Sequence, residues 1–245
     1  MRNTVKRLVF AAAMLALAVM WADNRLRPLG GAGRRLPPPS EVLQGSGVEL
    51  TPAGLIAALS NENPFIRQAA AAVLGERKIE SAKPALIARL RDKNETTDTR
   101  IAAAGALLDM GDTTGEPVLL DLTAGSDARI AVDAACVLAQ HGNAAGFDAV
   151  VRIAKTSADP VFGRQIAAHA LSTFAKFPGK RKAVVDTLSS LLVKDADADV
   201  RLVAAAELMN FRGEEADRAF ARALHDSDPV IRGVAEVYLD RSSRK

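Results

Sequence analysis

The chain has 245 residues, 49% of them apolar and 4% aromatic, enough to build a packed core and enough to exclude disorder throughout. Abundant alanine suits closely approaching helices better than a β-sandwich built on Tyr, Phe, Val and Thr. The formal charge of +3 is uneven: seven of the 32 basic residues precede residue 40, opposed only by Asp23. The remainder holds 25 basic and 28 acidic residues, scattered rather than gathered in a stripe, which excludes a basic nucleic-acid-binding body.

Met1 to Arg7 carries three positive charges, and LVFAAAMLALAVMWA follows from Leu8 to Ala22 without one. A basic n-region before a 15-residue apolar run has the form of an export signal. As a helix it would reach roughly 22 Å, short of the roughly 30 Å hydrocarbon core. Ala16-Leu17-Ala18 gives a small-x-small cleavage form but cuts the apolar run short, and cleavage after Ala22 would place Met20 at the outer small position, so an uncleaved anchor stays open. Four arginines between residues 25 and 35 also weaken the charge asymmetry that favours export. A third reading makes this segment a buried helix of the fold. The expectation is a signal peptide or signal anchor at 1–22, a possible membrane tether through 8–22, and a protein that is exported, periplasmic or inner-membrane-anchored. Residues 23–50, with Gly30-Gly31-Ala32-Gly33, Arg34-Arg35 and Pro37-Pro38-Pro39, read as an extended linker. Single Cys136 cannot form an intramolecular disulfide.

From residue 51 the chain repeats. NENPFIRQAAAAVLG has five counterparts, in ETTDTRIAAAGALLDMG, GSDARIAVDAACVLAQHG, DPVFGRQIAAHALSTF, DADVRLVAAAELMNF and DSDPVIRGVAEVYLD. Their arginines are Arg67, Arg100, Arg129, Arg164, Arg201 and Arg232, spaced by 33, 29, 35, 37 and 31 residues. Counting from each arginine, the third residue is small or Val, and the seventh is Leu74, Leu107, Cys136, Leu171, Leu208 or Leu239. Those two positions share a helix face, where a small residue admits a neighbouring backbone and leucine fills the groove beside it. First helices are predicted after Thr51-Pro52, after Ser81, after Glu116-Pro117, and near 144–155, 181–194 and 214–225. Glycines 75, 111 and 142 are expected to end second helices in left-handed geometry. The reading is twelve helices in six hairpins.

Leu-x-x-Leu, then Asp-Pro-x-Val-Arg, then an alanine-rich segment ending in Leu-Gly resembles HEAT repeats. The short period, with DSDPVIR and NENPFIRQAAAAVLG, is similar to the bilin-lyase type. The resemblance covers about residues 51 to 240 and implies an all-α solenoid of stacked hairpins at 51–245. The tetratricopeptide Trp-Leu-Gly-Tyr and ankyrin Thr-Pro-Leu-His patterns are absent.

Each arginine follows an Asp or Asn within about five residues: Asn63, Asp98, Asp127, Asp159, Asp197 and Asp228. These acceptors suit helix capping, and the guanidinium can bridge to the adjacent repeat, as in the structural ladders the resemblance implies. A phosphate-binding row is the alternative, disfavoured by the nearby acids.

His141, His169 and His225 show no metal-ligand spacing, and the His-Glu pairs of HEAT-like deoxyhypusine hydroxylases are absent. Cys136 stands in the leucine position and reads as a small buried hydrophobe. No phosphate loop or nucleophile elbow occurs. Asp133, Glu207 and Glu236 read as solvated charges on alanine-rich helices. No catalytic residue, cofactor or metal is expected. The sequence points to a monomeric, non-catalytic scaffold of the cell envelope that binds another protein through the concave face of its solenoid, with the last repeat, including Tyr238 and the polar tail Arg241 to Lys245, capping one end. A bilin-lyase-like, chromophore-handling protein is the alternative.

Overall fold

A computed structural model describes residues 37–156 and 160–243. The expected signal segment at 1–22, most of the linker, and Asp159 lie outside the described residues. Among those described, every helix is α or 3-10, and no strand occurs. The helices are α1 (Pro39–Gly45), α2 (Pro52–Ala58), α3 (Pro64–Glu76), α4 (Lys83–Arg91), α5 (Thr97–Asp109), α6 (Glu116–Thr123) and α7 (Ala128–Gln140), then α8 (Phe147–Lys155), α9 (Val161–Leu171), α10 (Lys180–Lys194), α11 (Ala198–Leu208), α12 (Glu214–Ala223) and α13 (Pro229–Ser243). From α2 onward they are the twelve expected helices. The chain divides into two compact units at Val150, inside α8.

In the first unit, α3 packs on α5 and α5 on α7, while α2, α4 and α6 each pack on the second helix that follows them. Helix starts follow local chemistry. Thr51 accepts the Gly54 N–H ahead of Pro52, and Asn63 accepts the Phe65 N–H ahead of Pro64. Ser81 does not cap; it lies in a 3-10 turn, Glu80–Ala82, that leads directly into α4. The end of the expected linker is ordered: Pro39 opens α1, which packs on α3 and buries Leu43 completely. One apolar side chain on a proline-initiated turn is enough to dock this segment as a cover on the first repeat.

Two of the three glycine expectations match the backbone. Gly111 and Gly142 have φ of 75° and 85°, and each follows the end of a second helix. Gly75 instead lies within α3 and is buried; the positive φ beyond that helix belongs to Lys78. A Cβ on Gly75 would stand 2.5 Å from Ala106 Cα, so glycine is needed there for close approach to α5.

The structure corrects the third repeat's register. Arg67, Arg100, Arg164 and Arg201 stand four residues after their caps Asn63, Thr96, Pro160 and Asp197. The cap of α7 is Asp127, which puts Arg129 only two residues on and Ala131 in the arginine position. Seven residues beyond Ala131 is Leu138, fully buried, so Leu138 is the repeat leucine. Cys136 is half-buried. Aligning on arginine alone displaced this repeat by two residues, because its arginine has moved and an alanine has taken its place.

In the second unit α9, α11 and α13 pack in the same order, with α10 on α11 and α12 on both α10 and α13. Tyr238, expected at a capping end, is a core residue. It is fully buried, its ring stacks 4.0 Å from that of Phe220, and its hydroxyl lies 3.0 Å from the Phe211 carbonyl and from Asp217.

The corrected register makes a prediction. In chemical denaturation, Leu138→Ala should destabilise the protein by about 2–5 kcal/mol, and Cys136→Ala by less than about 1 kcal/mol. Equal effects would contradict the assignment.

Candidate binding face on the second helices

Two of the repeat arginines, Arg67 and Arg201, join the turn of their own hairpin to the next repeat. Arg67 Nη1 donates to the Asn61 and Glu62 carbonyls at 2.8 and 2.9 Å, while Nε and Nη2 grip Glu95 at 2.7 and 2.6 Å. Arg201 bonds the Asp195 and Ala196 carbonyls and holds Asp226 at 2.8 and 2.9 Å. Arg164 holds Asp195 at 3.0 and 3.1 Å. Arg232 donates to the Asp226 and Ser227 carbonyls, and Arg100 to that of Leu90. In Arg67 and Arg201 one edge of the guanidinium satisfies two carbonyls of the turn between the helices, and the other makes a bidentate ion pair with the next repeat.

The bridging carboxylates are Glu95, Asp195 and Asp226, and sequence reasoning missed all three. Asn63, Asp127, Asp197 and Asp228 act as caps, accepting N–H groups of Phe65, Ile130, Asp199 and Val230 respectively. Asp98 does not cap: Thr96 does, and Asp98 lies inside α5. The missed signal was the doublet two residues apart in NEN, DAD and DSD. Its first member accepts the N–H of the second, at 2.9 Å for Asn61, 3.0 Å for Asp195 and 2.8 Å for Asp226. In Asp195 and Asp226 that same carboxylate also receives the arginine of the preceding repeat. Burial opposes ionisation of Glu95, but hydrogen bonds from Arg67 and Thr96 outweigh it and hold its carboxyl below the usual range. The Arg201 bond does the same for Asp226, so this pair contributes stability above the ordinary carboxylate range that is lost as pH falls through the depressed value.

The exceptional repeat differs in electrostatics as well. Arg129 Nη1 lies 2.9 Å from both Asp98, on α5, and Asp133, one turn along α7. Asp127 sits close enough to add repulsion. Burial pushes the Asp133 carboxyl up to about 6; Arg129 opposes the shift, and the charges of Asp98 and Asp127 add to it. Asp133 is thus not a freely solvated charge. Burial and the Asp133 charge also push the Cys136 thiol up to about 12, so it is a poor nucleophile at neutral pH.

Phe65, Asp98 and Arg129 share one register, two residues after the caps of α3, α5 and α7. These helix starts adjoin: the Thr99 hydroxyl is 3.4 Å from the Pro64 carbonyl. Phe65 is 71% exposed, the most exposed large apolar side chain among the described residues. An aromatic ring and an acidic group with one arginine therefore line the same edge of the first unit. No group of three His, Cys, Asp or Glu side chains able to hold a metal occurs among the described residues.

The second unit has its own polar link. His169 Nδ1 lies 2.6 Å from Glu207, which is buried, and this bond raises the imidazole pKa against the effect of burial. In the first unit His141 Nε2 lies 3.0 Å from Asp109. Both histidines tie one second helix to the preceding or following one.

Residues 52–137 match the sequence profile of HEAT repeats. HEAT-repeat similarity is thus shown for residues 52–137. No curated protein matches the sequence significantly. Among solved structures, YibA of Escherichia coli is 22% identical over 86% of this chain and 78% of its own, with a TM-score of 0.56. That likeness is one of fold and agrees with an α-solenoid. The complex of CpcE and CpcF of phycocyanin lyase from Nostoc sp. is 21% identical over 85% of this chain and 81% of that one, with a TM-score of 0.48. Human deoxyhypusine hydroxylase in complex with glycerol is 20% identical over 84% and 88%, with a TM-score of 0.32.

Two predictions test the HEAT repeat chemistry. Arg201→Ala leaves the half-buried Asp226 without its bidentate partner and should cost about 2–3 kcal/mol in equilibrium unfolding. Arg218→Ala, which breaks only exposed pairs with Glu214 and Glu215, should cost less than about 1 kcal/mol. For Asp133 the folded pKa is raised above the unfolded one, so its charge costs stability that is fully retained only below about pH 4. Asp133→Asn should therefore raise the melting temperature above pH 6 and leave it unchanged near pH 4; a constant difference across that range would refute the assignment.

Proposed function

We propose that this protein is a non-catalytic scaffold that binds another protein through the second-helix face of its first unit. The observation that carries the reading is the exposed Phe65 in register with Asp98 and Arg129, beside Asp133. Exposed aromatic side chains dominate contact energetics where they can be desolvated, and a carboxylate whose charge is unfavourable in the free protein gains when a partner brings a cation. The partner segment that fits would carry Lys or Arg next to an apolar side chain. The raised thiol pKa of Cys136 disfavours covalent chromophore attachment at that residue.

The location we propose is the cell envelope, with the repeats outside the cytoplasm. The basic n-region and the apolar run from Leu8 to Ala22 support this reading. Among the described residues no helix is long and apolar enough to cross a membrane, and the run itself lies outside them.

Photo-crosslinkers placed at residues 65 and 121 in intact cells test the binding reading. Position 65 should give a discrete adduct, and Asp98→Lys with Asp133→Lys should reduce it about tenfold or more. Equal yield from position 121, exposed on α6, would sink the assignment of the face. Fractionation of the same cells tests the location, and recovery of the protein from the cytoplasm would overturn it.

A further inference from the structure

We propose that the cleft between α10 and α12 is a binding site for a phosphate monoester. It lies in the second unit, and none of its residues belongs to the face described in the first. Lys182, Asp186, Ser189 and Val193 fall on one face of α10 by helical spacing, and α12 contributes Glu215, Arg218, Ala219 and Arg222. Asp186, Ser189, Ser190, Lys194 and the α12 residues border a half-open cleft of about 460 Å³.

The charges around this cleft are sorted. Both acids are already neutralised, Asp186 by Lys182 at 2.5 Å and Glu215 by Arg218 at 2.8 Å. Lys194 and Arg222 have no ion pair among the described residues, so the unspent charge is positive. Ser189 is the independent observation. It is 3% exposed, lines the cleft, and its Oγ is the one buried side-chain polar atom without a hydrogen-bond partner among the described residues. Its neighbour Thr187 bonds the Ala183 carbonyl at 2.7 Å, the usual outlet for a hydroxyl on a helix. Native structures seldom leave a buried hydroxyl unbonded without a reason.

A phosphate monoester matches these groups. It carries a charge of about −1.5 to −2 near neutral pH and three strong acceptor oxygens. Arg222 can engage two of them, Lys194 offers a point charge, and the Ser189 and Ser190 hydroxyls can donate. A cation would find no free carboxylate.

Titration of the full chain with glucose 6-phosphate and with phosphoserine, against glucose and serine, tests this site. Saturable binding of either phosphate compound, absent for its dephosphorylated partner, is expected. Preference for the sugar phosphate would assign a metabolite, and preference for phosphoserine a phosphorylated chain. Ser189→Ala should weaken binding about tenfold while folding stability holds or rises, because it removes a partnerless buried hydroxyl. Arg222→Gln, at an exposed position, should weaken binding as much without unfolding the chain. No saturation by about 10 mM with either compound, or unchanged affinity in both variants, overturns the proposal.

Discussion

The close approach of neighbouring second helices constrains everything else in this fold. At Gly75 a single methyl would collide with the backbone of Ala106; the same tightness extends to the loop before α8, where a methyl on Gly146 would collide with Ala135 of α7. Dense contact between such surfaces needs small residues in rows, which explains why alanine dominates and aromatic side chains are scarce. It also explains why the few large polar side chains on these helices interact strongly. Where backbones lie this close, an ionisable group is partly desolvated even when it remains accessible, as the Asp133 carboxyl shows.

The arginine fork follows from the same geometry. The turn that joins a first helix to its second leaves backbone carbonyls without a helical partner. An arginine four residues after the next cap can reach back to two of them. Its remaining edge then points at the adjacent hairpin, and a carboxylate there completes a planar pair that lysine could not form. One side chain thereby sets both the bend within a hairpin and the stacking of the next. The Asp195 and Asp226 doublets give the pair its shape, because the accepting carboxylate is fixed by a backbone N–H before the arginine arrives.

Helix number, helix order and the solenoid class were legible in the sequence because they depend on spacing that repeats. Capping by Asn63, Asp127, Asp197 and Asp228 was legible for the same reason. Three things were not. The two-residue displacement at Arg129 was hidden because an arginine still stood near the expected place, and only the cap at Asp127 reveals the shift. The bridging acids were hidden because a contact between repeats has no local sequence spacing. The exposure of Phe65 was hidden because an apolar residue beside a proline reads equally well as core.

The corrected register also shows where the copies are free to differ. Five residues after the arginine position stand Ala72, Gly105 and Cys136 in the first unit, and His169, Ala206 and Val237 in the second, all of them half-buried. Two residues after the cap the copies read Phe65, Asp98 and Arg129, then Phe162, Asp199 and Val230. Neither row is held by packing, since the buried alanines and leucines between them carry the stack. Arg129 and Asp133 arise where the repeat has surrendered its structural arginine, so the third hairpin lacks the fork made by Arg67 and Arg201 and presents a surface charge cluster instead. A repeat that loses an element of the stack and gains an acid whose charge costs stability has been shaped by something other than folding. That asymmetry, rather than any feature common to the six copies, is what supports the proposed binding surface.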